Sequence, residues 1–87
     1  MARYSLVFRR SVQKDFRRIP KGDVARILRR IEALADEPRP AGCEKLSAQE
    51  RYRLRQGKYR ILYEIQDKKL VITVVKVAHR RHVYRQH

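Results

Sequence analysis

In the second half of the chain, apolar and polar residues alternate at period two. Tyr52 and Leu54, then Tyr59, Ile61, Tyr63 and Ile65, stand between charged residues, which is the pattern of strands with one buried face. Gln56-Gly57 separates the two runs, and glycine accepts the positive φ of a tight turn. The pattern predicts a β-hairpin. With Gln56-Gly57 as a two-residue loop, Arg55 pairs with Lys58 and Arg53 stands directly opposite Arg60. Leu70 to Ala78 is β-branched and apolar at both parities, which predicts a central strand covered on both faces. Gln66 to Lys69 supplies the turn before it. The first half has helical spacing instead. Val12, Phe16 and Ile19 follow Ser11, the expected N-cap, until Pro20-Lys21-Gly22 breaks the helix. Asp23 is expected to cap a second helix whose stripe is Val24, Ile27, Leu28, Ile31, Leu34 and Ala35. Tyr4 to Phe8 reads as an opening strand and Pro38 to Gly42 as a loop. Cys43 to Glu50 has no clear period, and the segment from His79 onward reads as a short helix or coil.

This order, β-α-α-β-β-β, predicts an α+β fold. A small antiparallel sheet carries two N-terminal helices packed on one face, in a single domain over residues 1–87 with no repeat or linker. Parity then sorts the sheet. If the second turn has four residues, Tyr52, Leu54, Tyr59, Ile61, Tyr63, Ile65, Leu70, Ile72 and Val74 face the helices. Arg51, Arg53, Arg55, Lys58, Arg60, Val75 and His79 fall on the other face, which becomes a cationic bowl with an apolar floor. A one-residue slip would exchange the faces.

Charge gives that face its meaning. The 87 residues carry a formal net charge of +14, from 23 Lys+Arg, most of them arginine, against 9 Asp+Glu. Like charges facing each other across strands are destabilising, so Arg53 opposite Arg60 implies an anion held between them. Guanidinium groups offer planar, bidentate donors to phosphate, and nucleic acid is the first partner to consider. No basic segment has the aromatic-anchored apolar face of a membrane-surface helix, and no signal or membrane-spanning segment is read. The protein is expected to be soluble and cytoplasmic. The lone Cys43 excludes an internal disulfide and fits a reducing compartment; a passive thiol is the reading for it. There is no Gly-rich phosphate loop, no serine-nucleophile motif and no spaced carboxylate pair. His79 and His82 have the i, i+3 spacing of a weak metal pair, but no Cys or carboxylate cluster completes it, so neither metal nor cofactor is expected. These histidines read either as acid–base groups working near neutral pH or as surface residues. Tyr84 reads as a ring that stacks on a base, hydrogen-bonds a phosphate, or seals the core.

The stretch Tyr52-Arg53-Leu54-Arg55-Gln56-Gly57-Lys58-Tyr59-Arg60-Ile61-Leu62-Tyr63, with the ending Val77-Ala78-His79-Arg80-Arg81-His82-Val83-Tyr84-Arg85, resembles the RelE branch of the RelE/ParE toxin superfamily over nearly the whole chain. The resemblance implies a type II toxin that enters the ribosomal A site and cuts mRNA without a metal. In that reaction the ribose 2′-hydroxyl attacks the adjacent phosphate. It implies an acidic, RelB-like antitoxin and the ribosome as partners. It also implies Arg53, Arg60, Arg80 and Tyr84 as catalytic residues, with Arg81 a second choice for the later arginine. Arg51, Arg55, Lys58, His79 and Arg81 would contact RNA. The family's basic pair falls on Arg51 and Arg53, and arginine is a poor general base, so His79, His82 or electrostatic stabilisation would carry that role. Two other readings stand beside it: a ParE-like toxin that binds DNA gyrase, and a non-catalytic nucleic-acid-binding module.

The tail reading yields a first prediction. Stacking of a base on an aromatic ring is worth about 1–3 kcal/mol, so Tyr84→Ala slows mRNA cleavage roughly 5- to 150-fold. Tyr84→Phe is near normal if stacking is the role and fails like Ala if the hydroxyl moves a proton. Single-turnover cleavage on programmed ribosomes separates these, and wild-type rates in both variants remove Tyr84 from the site.

Overall fold

Five strands build one sheet. They are β1 (Ser5–Phe8), β2 (Glu44–Lys45), β3 (Arg51–Gln56), β4 (Tyr59–Gln66) and β5 (Val71–His79), in the spatial order β1-β5-β4-β3-β2. Three helices, α1 (Arg10–Arg17), α2 (Lys21–Leu34) and α3 (Arg80–Val83), complete the described chain. This computed structural model describes residues 3–46 and 50–83, without the side chains of His82 and Val83. The α+β architecture and the opening strand match the sequence expectation, with β2 added at one edge and β1 paired in parallel at the other. β2 extends the sheet beyond β3, pairing Glu44 with Arg53 and Lys45 with Tyr52. β1 joins β5 in parallel, whereas every other pair is antiparallel.

The helices cover one face. Val12, Ile19, Ile27, Ile31 and Leu34 meet Tyr52, Leu54, Ile61, Tyr63, Ile65, Ile72, Val74 and Val77 in a single core. Burying an aliphatic or aromatic side chain of this size stabilises by about 1.5–3 kcal/mol. The α2 stripe and the alternating hairpin residues are thus the two halves of one core.

The helix starts differ from expectation. Ser11 does not cap α1; Arg9 holds the N-cap position, with no side-chain cap. The reason is tertiary. β1 pairs with β5 through Phe8 and Val74, the Arg9 amide then donates to the Val74 carbonyl at 3.0 Å, and the chain turns directly into helix. Asp23 does not cap α2 either. Pro20 is its N-cap, and its carbonyl accepts from the Val24 amide at 3.0 Å. Asp23 instead lies in the first turn, where its charge suits the helix dipole, and it pairs with Arg26 at 2.9 Å.

β5 departs most from its sequence pattern. Leu70 is in the turn rather than the strand, at φ 55 and 37% exposed. Val71, Thr73 and Val75 are half-buried, so the strand is central but packed fully on one face only. Between Leu62 and Tyr63 of β4 the register with β5 shifts, Leu62 pairing with Lys76 and Tyr63 with Val74. Val75 is the extra residue, and past such a bulge the inward and outward sides of a strand exchange. Val77 therefore enters the core. Where β1 has ended, α1 covers the edge of β5: the Val77 amide donates to the Asp15 carboxylate at 3.1 Å.

At the end of the sheet away from the β3–β4 turn, Arg39 ties four segments together. Its guanidinium donates to the Tyr52 hydroxyl at 2.9 Å, to Glu50 at 2.7 Å and to Asp67 at 2.9 Å. It also lies 5.2 Å from the centre of the Tyr52 ring. Tyr4 donates to Asp67 at 2.6 Å and Lys45 pairs with Glu50 at 2.7 Å. Lys45, Arg39 and Tyr52, in that order of effect, push the Glu50 carboxyl down to about 2, and Arg39 followed by Tyr4 lowers Asp67. A carboxylate whose pKa falls on folding stabilises the fold fully above its unfolded pKa and loses that contribution as pH falls through the folded value. Glu50→Gln is therefore less stable than wild type at pH 7, and the gap closes progressively as pH drops from the ordinary carboxylate range toward about 2. Urea midpoints across that range test this, and a gap that does not change with pH would rule it out.

Candidate nucleic-acid interface

The β3–β4 turn is Gly57-Lys58, one residue later than the sequence suggests. Gly57 sits at φ 59, so Gln56 pairs with Tyr59 and Arg55 pairs with Arg60. Arg53 lies opposite Leu62, diagonal to Arg60. The predicted partner of Arg60 is thus corrected from Arg53 to Arg55, and Lys58 is in the turn rather than paired. The cationic face survives because the register moved by an even step, which leaves the side chains within β3 and β4 on their predicted sides. Arg51, Arg53, Arg55, Arg60 and Leu62 share the face opposite the helices.

Two features concentrate charge near the turn. Arg60 is 5% exposed and is the one buried charged residue among the described residues. Such a position fixes a guanidinium in place. Beside it a cavity of about 320 Å³ is lined by Arg30, Gly42, Glu44, Arg53, Leu54, Arg55 and Arg60. Four arginines against one carboxylate give this cavity a cationic lining.

Elsewhere on the face, carboxylates offset the arginines. Arg51 donates two hydrogen bonds to Glu64, one of them at 3.1 Å, and Arg9 approaches the same carboxylate at 3.6 Å. Lys76 pairs with Asp15 at 3.6 Å. Arg53 pairs with Glu44 at 2.9 Å. Among the described residues Arg55, Lys58, Arg80 and Arg81 form no ion pair with a carboxylate, and all four are exposed.

The structure therefore unites some of the expected residues and separates others. Arg53, Arg55 and Arg60 converge on the cavity. Arg80 opens α3, and its amide donates to the Lys58 carbonyl at 2.8 Å. That bond docks the start of the tail on the hairpin turn, next to Arg60. Arg51 is neutralised by Glu64 at the other end of the face. Lys58 lines a separate hollow of about 350 Å³ between the turn and α2, with Asp23, Arg26 and Tyr59. His79 is not on the bowl face. It pairs with Tyr59 and packs against that ring, centroids 5.7 Å apart and planes at 81°, because the Val75 bulge has reversed the parity of β5. Its Nδ1 lies 3.3 Å from the Arg81 amide, which donates to it. Tyr84 lies outside the described residues, as does the side chain of His82. Among the described residues no group of His, Cys, Asp and Glu could hold a metal ion, and no helix is long and apolar enough to cross a membrane. Cys43 is a free, half-buried thiol beside Tyr63, whose hydroxyl is raised chiefly by burial and then by that thiol.

Two cavity residues had no sequence signal. Arg30 lies between apolar positions of α2 and looks like one more solvated helix residue. Glu44 belongs to a segment without period. Only packing brings them to Arg53.

A family model described as the ParE toxin of the type II toxin–antitoxin system, parDE, matches residues 6–84. A chain of the archaeal RelE–RelB complex from Pyrococcus horikoshii is 28% identical, with a TM-score of 0.77 over 88% of this chain and 94% of that one. Two more distant structures share the fold. A chain of a RelBE toxin–antitoxin complex from Mycobacterium tuberculosis has 23% identity and a TM-score of 0.78, covering 90% and 99% of the two chains. The isolated E. coli RelE toxin has 20% identity and a TM-score of 0.77, covering 94% and 97%. No individually curated protein matches in sequence.

The facing arginines carry a testable cost. Arg55→Gln removes one of two directly opposed cations, and the change raises stability by up to about 1 kcal/mol. The same variant binds a single-stranded RNA more weakly. Equilibrium unfolding and fluorescence anisotropy measure the two effects, and a variant both less stable and unchanged in binding would contradict the arrangement.

Proposed function

We infer the function from a premise now in hand: the chain belongs to the ParE toxin family of type II toxin–antitoxin systems, within the RelE/ParE superfamily whose RelE fold it shares. On that premise we propose that it is a ribosome-dependent endoribonuclease that cleaves A-site mRNA and halts translation. The observation that carries the proposal is Arg60, buried on the sheet face away from the helices, opposite Arg55 and diagonal to Arg53. A buried guanidinium among further cations favours negative charge at one fixed place. Preorganised donors of this kind stabilise charge that develops in a transition state.

In the proposed reaction the ribose 2′-hydroxyl attacks the adjacent phosphorus. The bond to the 5′-oxygen of the next nucleotide breaks, the 2′-hydroxyl proton passes to solvent and the departing oxygen takes one from solvent, leaving a 2′,3′-cyclic phosphate and a 5′-hydroxyl. Arg60 and Arg55 hold the non-bridging oxygens, Arg53 holds the neighbouring backbone, and Arg80 approaches from the tail. His79 packs on the other face, so electrostatic stabilisation, rather than a histidine base, is given the larger share of the rate. Tyr84 keeps the stacking role the family resemblance implies. The control partner is an acidic antitoxin like the RelB of the similar complexes, drawn by the +14 charge through electrostatic steering.

The family name itself favours a second reading, a gyrase-directed toxin. That activity does not require the buried arginine or the cationic cavity, and we rank it second. Two assays on the purified protein decide between them. Primer extension on translating ribosomes is expected to show cuts in the A-site codon, and gyrase supercoiling is expected to be unaffected; the opposite pair of results would establish the second reading.

Removing one preorganised donor costs about 100- to 1,000-fold in rate, so Arg60→Ala should lose that much in single-turnover cleavage. Arg60→Lys keeps the charge but not the planar fork and should still fall at least about tenfold. Circular dichroism of both variants separates a lost clamp from a lost fold. A folded Arg60→Ala that cuts at the wild-type rate would remove Arg60 from the reaction.

A further inference from the structure

The cavity beside Arg60 holds an anion already, and it belongs to the protein. Glu44 pairs with Arg53 at 2.9 Å; the arginine side chain is 18% exposed and the carboxylate 61%. Glu44 sits on β2, which is only two residues long, and pairs across the sheet with Arg53 itself. A carboxylate presents two oxygens to a guanidinium much as a phosphate does. The half-buried partner is thus the fixed cation, and the exposed partner is the group that can leave. Arg30, from α2, lines the same cavity.

We propose that Arg53 and Arg30 form a second phosphate position within this cavity, beside the Arg55–Arg60 clamp that lines it too, with Glu44 as the internal anion that an incoming phosphodiester displaces. The ligand is the backbone of single-stranded RNA, one phosphate along from the bond to be cut; the inference rests on the nuclease reading above. Three observations support it. Arg30, Arg53, Arg55 and Arg60 line one cavity with a single carboxylate, so its lining carries an excess of positive charge. Among the described residues the only carboxylate lining that cavity is the exposed Glu44, and swinging it into water costs little. Gly42, at φ 93 with nothing within 4 Å of where a Cβ would be, leaves the mouth open. Glu44 then sets affinity by competition, and Arg30 is a binding residue that reaches the RNA from a helix rather than from the sheet.

The test measures binding by the full chain of a fluorescent single-stranded 2′-O-methyl RNA, which lacks the attacking hydroxyl, from about 50 to 200 mM salt. Glu44→Gln removes the competitor and should bind about 1.5- to 5-fold tighter, the worth of an exposed ion pair. In an Arg53→Gln background the same change should have no effect, because the pair it breaks is already gone. Arg30→Gln should reduce the slope of log K against log salt by about 0.7, one phosphate contact on a single strand, and Arg30→Lys should restore it. Glu44→Gln binding no tighter than wild type would overturn the proposal. So would Arg30→Gln with an unchanged salt slope, which marks a merely structural residue. A wild-type chain that binds no RNA at all would overturn the subsite too, whereas the nuclease reading falls only if cleavage on translating ribosomes is absent. Wild-type binding with unresponsive variants sinks only the subsite.

Discussion

Gly57, at φ 59 in the turn between β3 and β4, fixes the register from which the cationic face follows. With Gly57-Lys58 as the loop, Gln56 meets Tyr59, Arg55 meets Arg60, and Leu54 meets Ile61. A slip of one residue would turn arginines toward α2 and send Leu54, Ile61 and Tyr63 into water. The core forbids that slip, since those three side chains are at most 1% exposed. The arginine cluster is therefore held by hydrophobic burial on the opposite side of the same two strands. Repulsion between Arg55 and Arg60 is tolerated because relieving it by changing register would cost several buried side chains at about 1.5–3 kcal/mol each.

The few carboxylates are placed where they polarise the molecule. Glu64 serves Arg51 and Arg9, and Asp15 serves Lys76 while accepting the Val77 amide. Both offset charge along the part of the face remote from the turn. Near the turn, Glu44 is the carboxylate that meets Arg53, and Arg55, Lys58, Arg80 and Arg81 are exposed. Charges screened over about 8–10 Å act mainly on what lies close. Exposed cations therefore gather around one end of the hairpin, where the tail also docks through the Arg80 amide.

The Arg39 network bears on this end indirectly. Arg39 lies in the loop that leads from α2 to β2, and its bonds to Tyr52, Glu50 and Asp67 anchor that loop to the far end of the sheet. The Tyr63 hydroxyl adds a bond to the Pro38 carbonyl at 2.8 Å. The same loop goes on to Gly42 and Glu44, which line the arginine cavity. Lys45, the neighbour of Glu44 on β2, pairs with Glu50 of the same network, so the tie that holds this loop also bears on the position of that carboxylate.

Most of the fold was legible in the chain itself. The period-two run of Tyr52 to Ile65, the α2 stripe and the glycine between two strands are local patterns, and burial of one face is enough to interpret them. The cationic face was legible for the same reason, since parity places Arg53, Arg55 and Arg60 together whichever even register the turn selects. The rest depended on contacts between distant segments. The Gly57-Lys58 loop sets Arg55 rather than Arg53 against Arg60, and parity reads the same for either even register, so the pattern alone did not separate them. The Val75 bulge moves Val77 into the core and His79 away from the bowl, and a bulge is a property of two paired strands. The α1 start at Arg10, in place of a Ser11 cap, follows from where β1 stops pairing with β5. Arg30 and Glu44 reach Arg53 only once α2 and β2 have packed around β3. Side-chain periodicity thus determined which residues face which way, and tertiary pairing decided which of them meet.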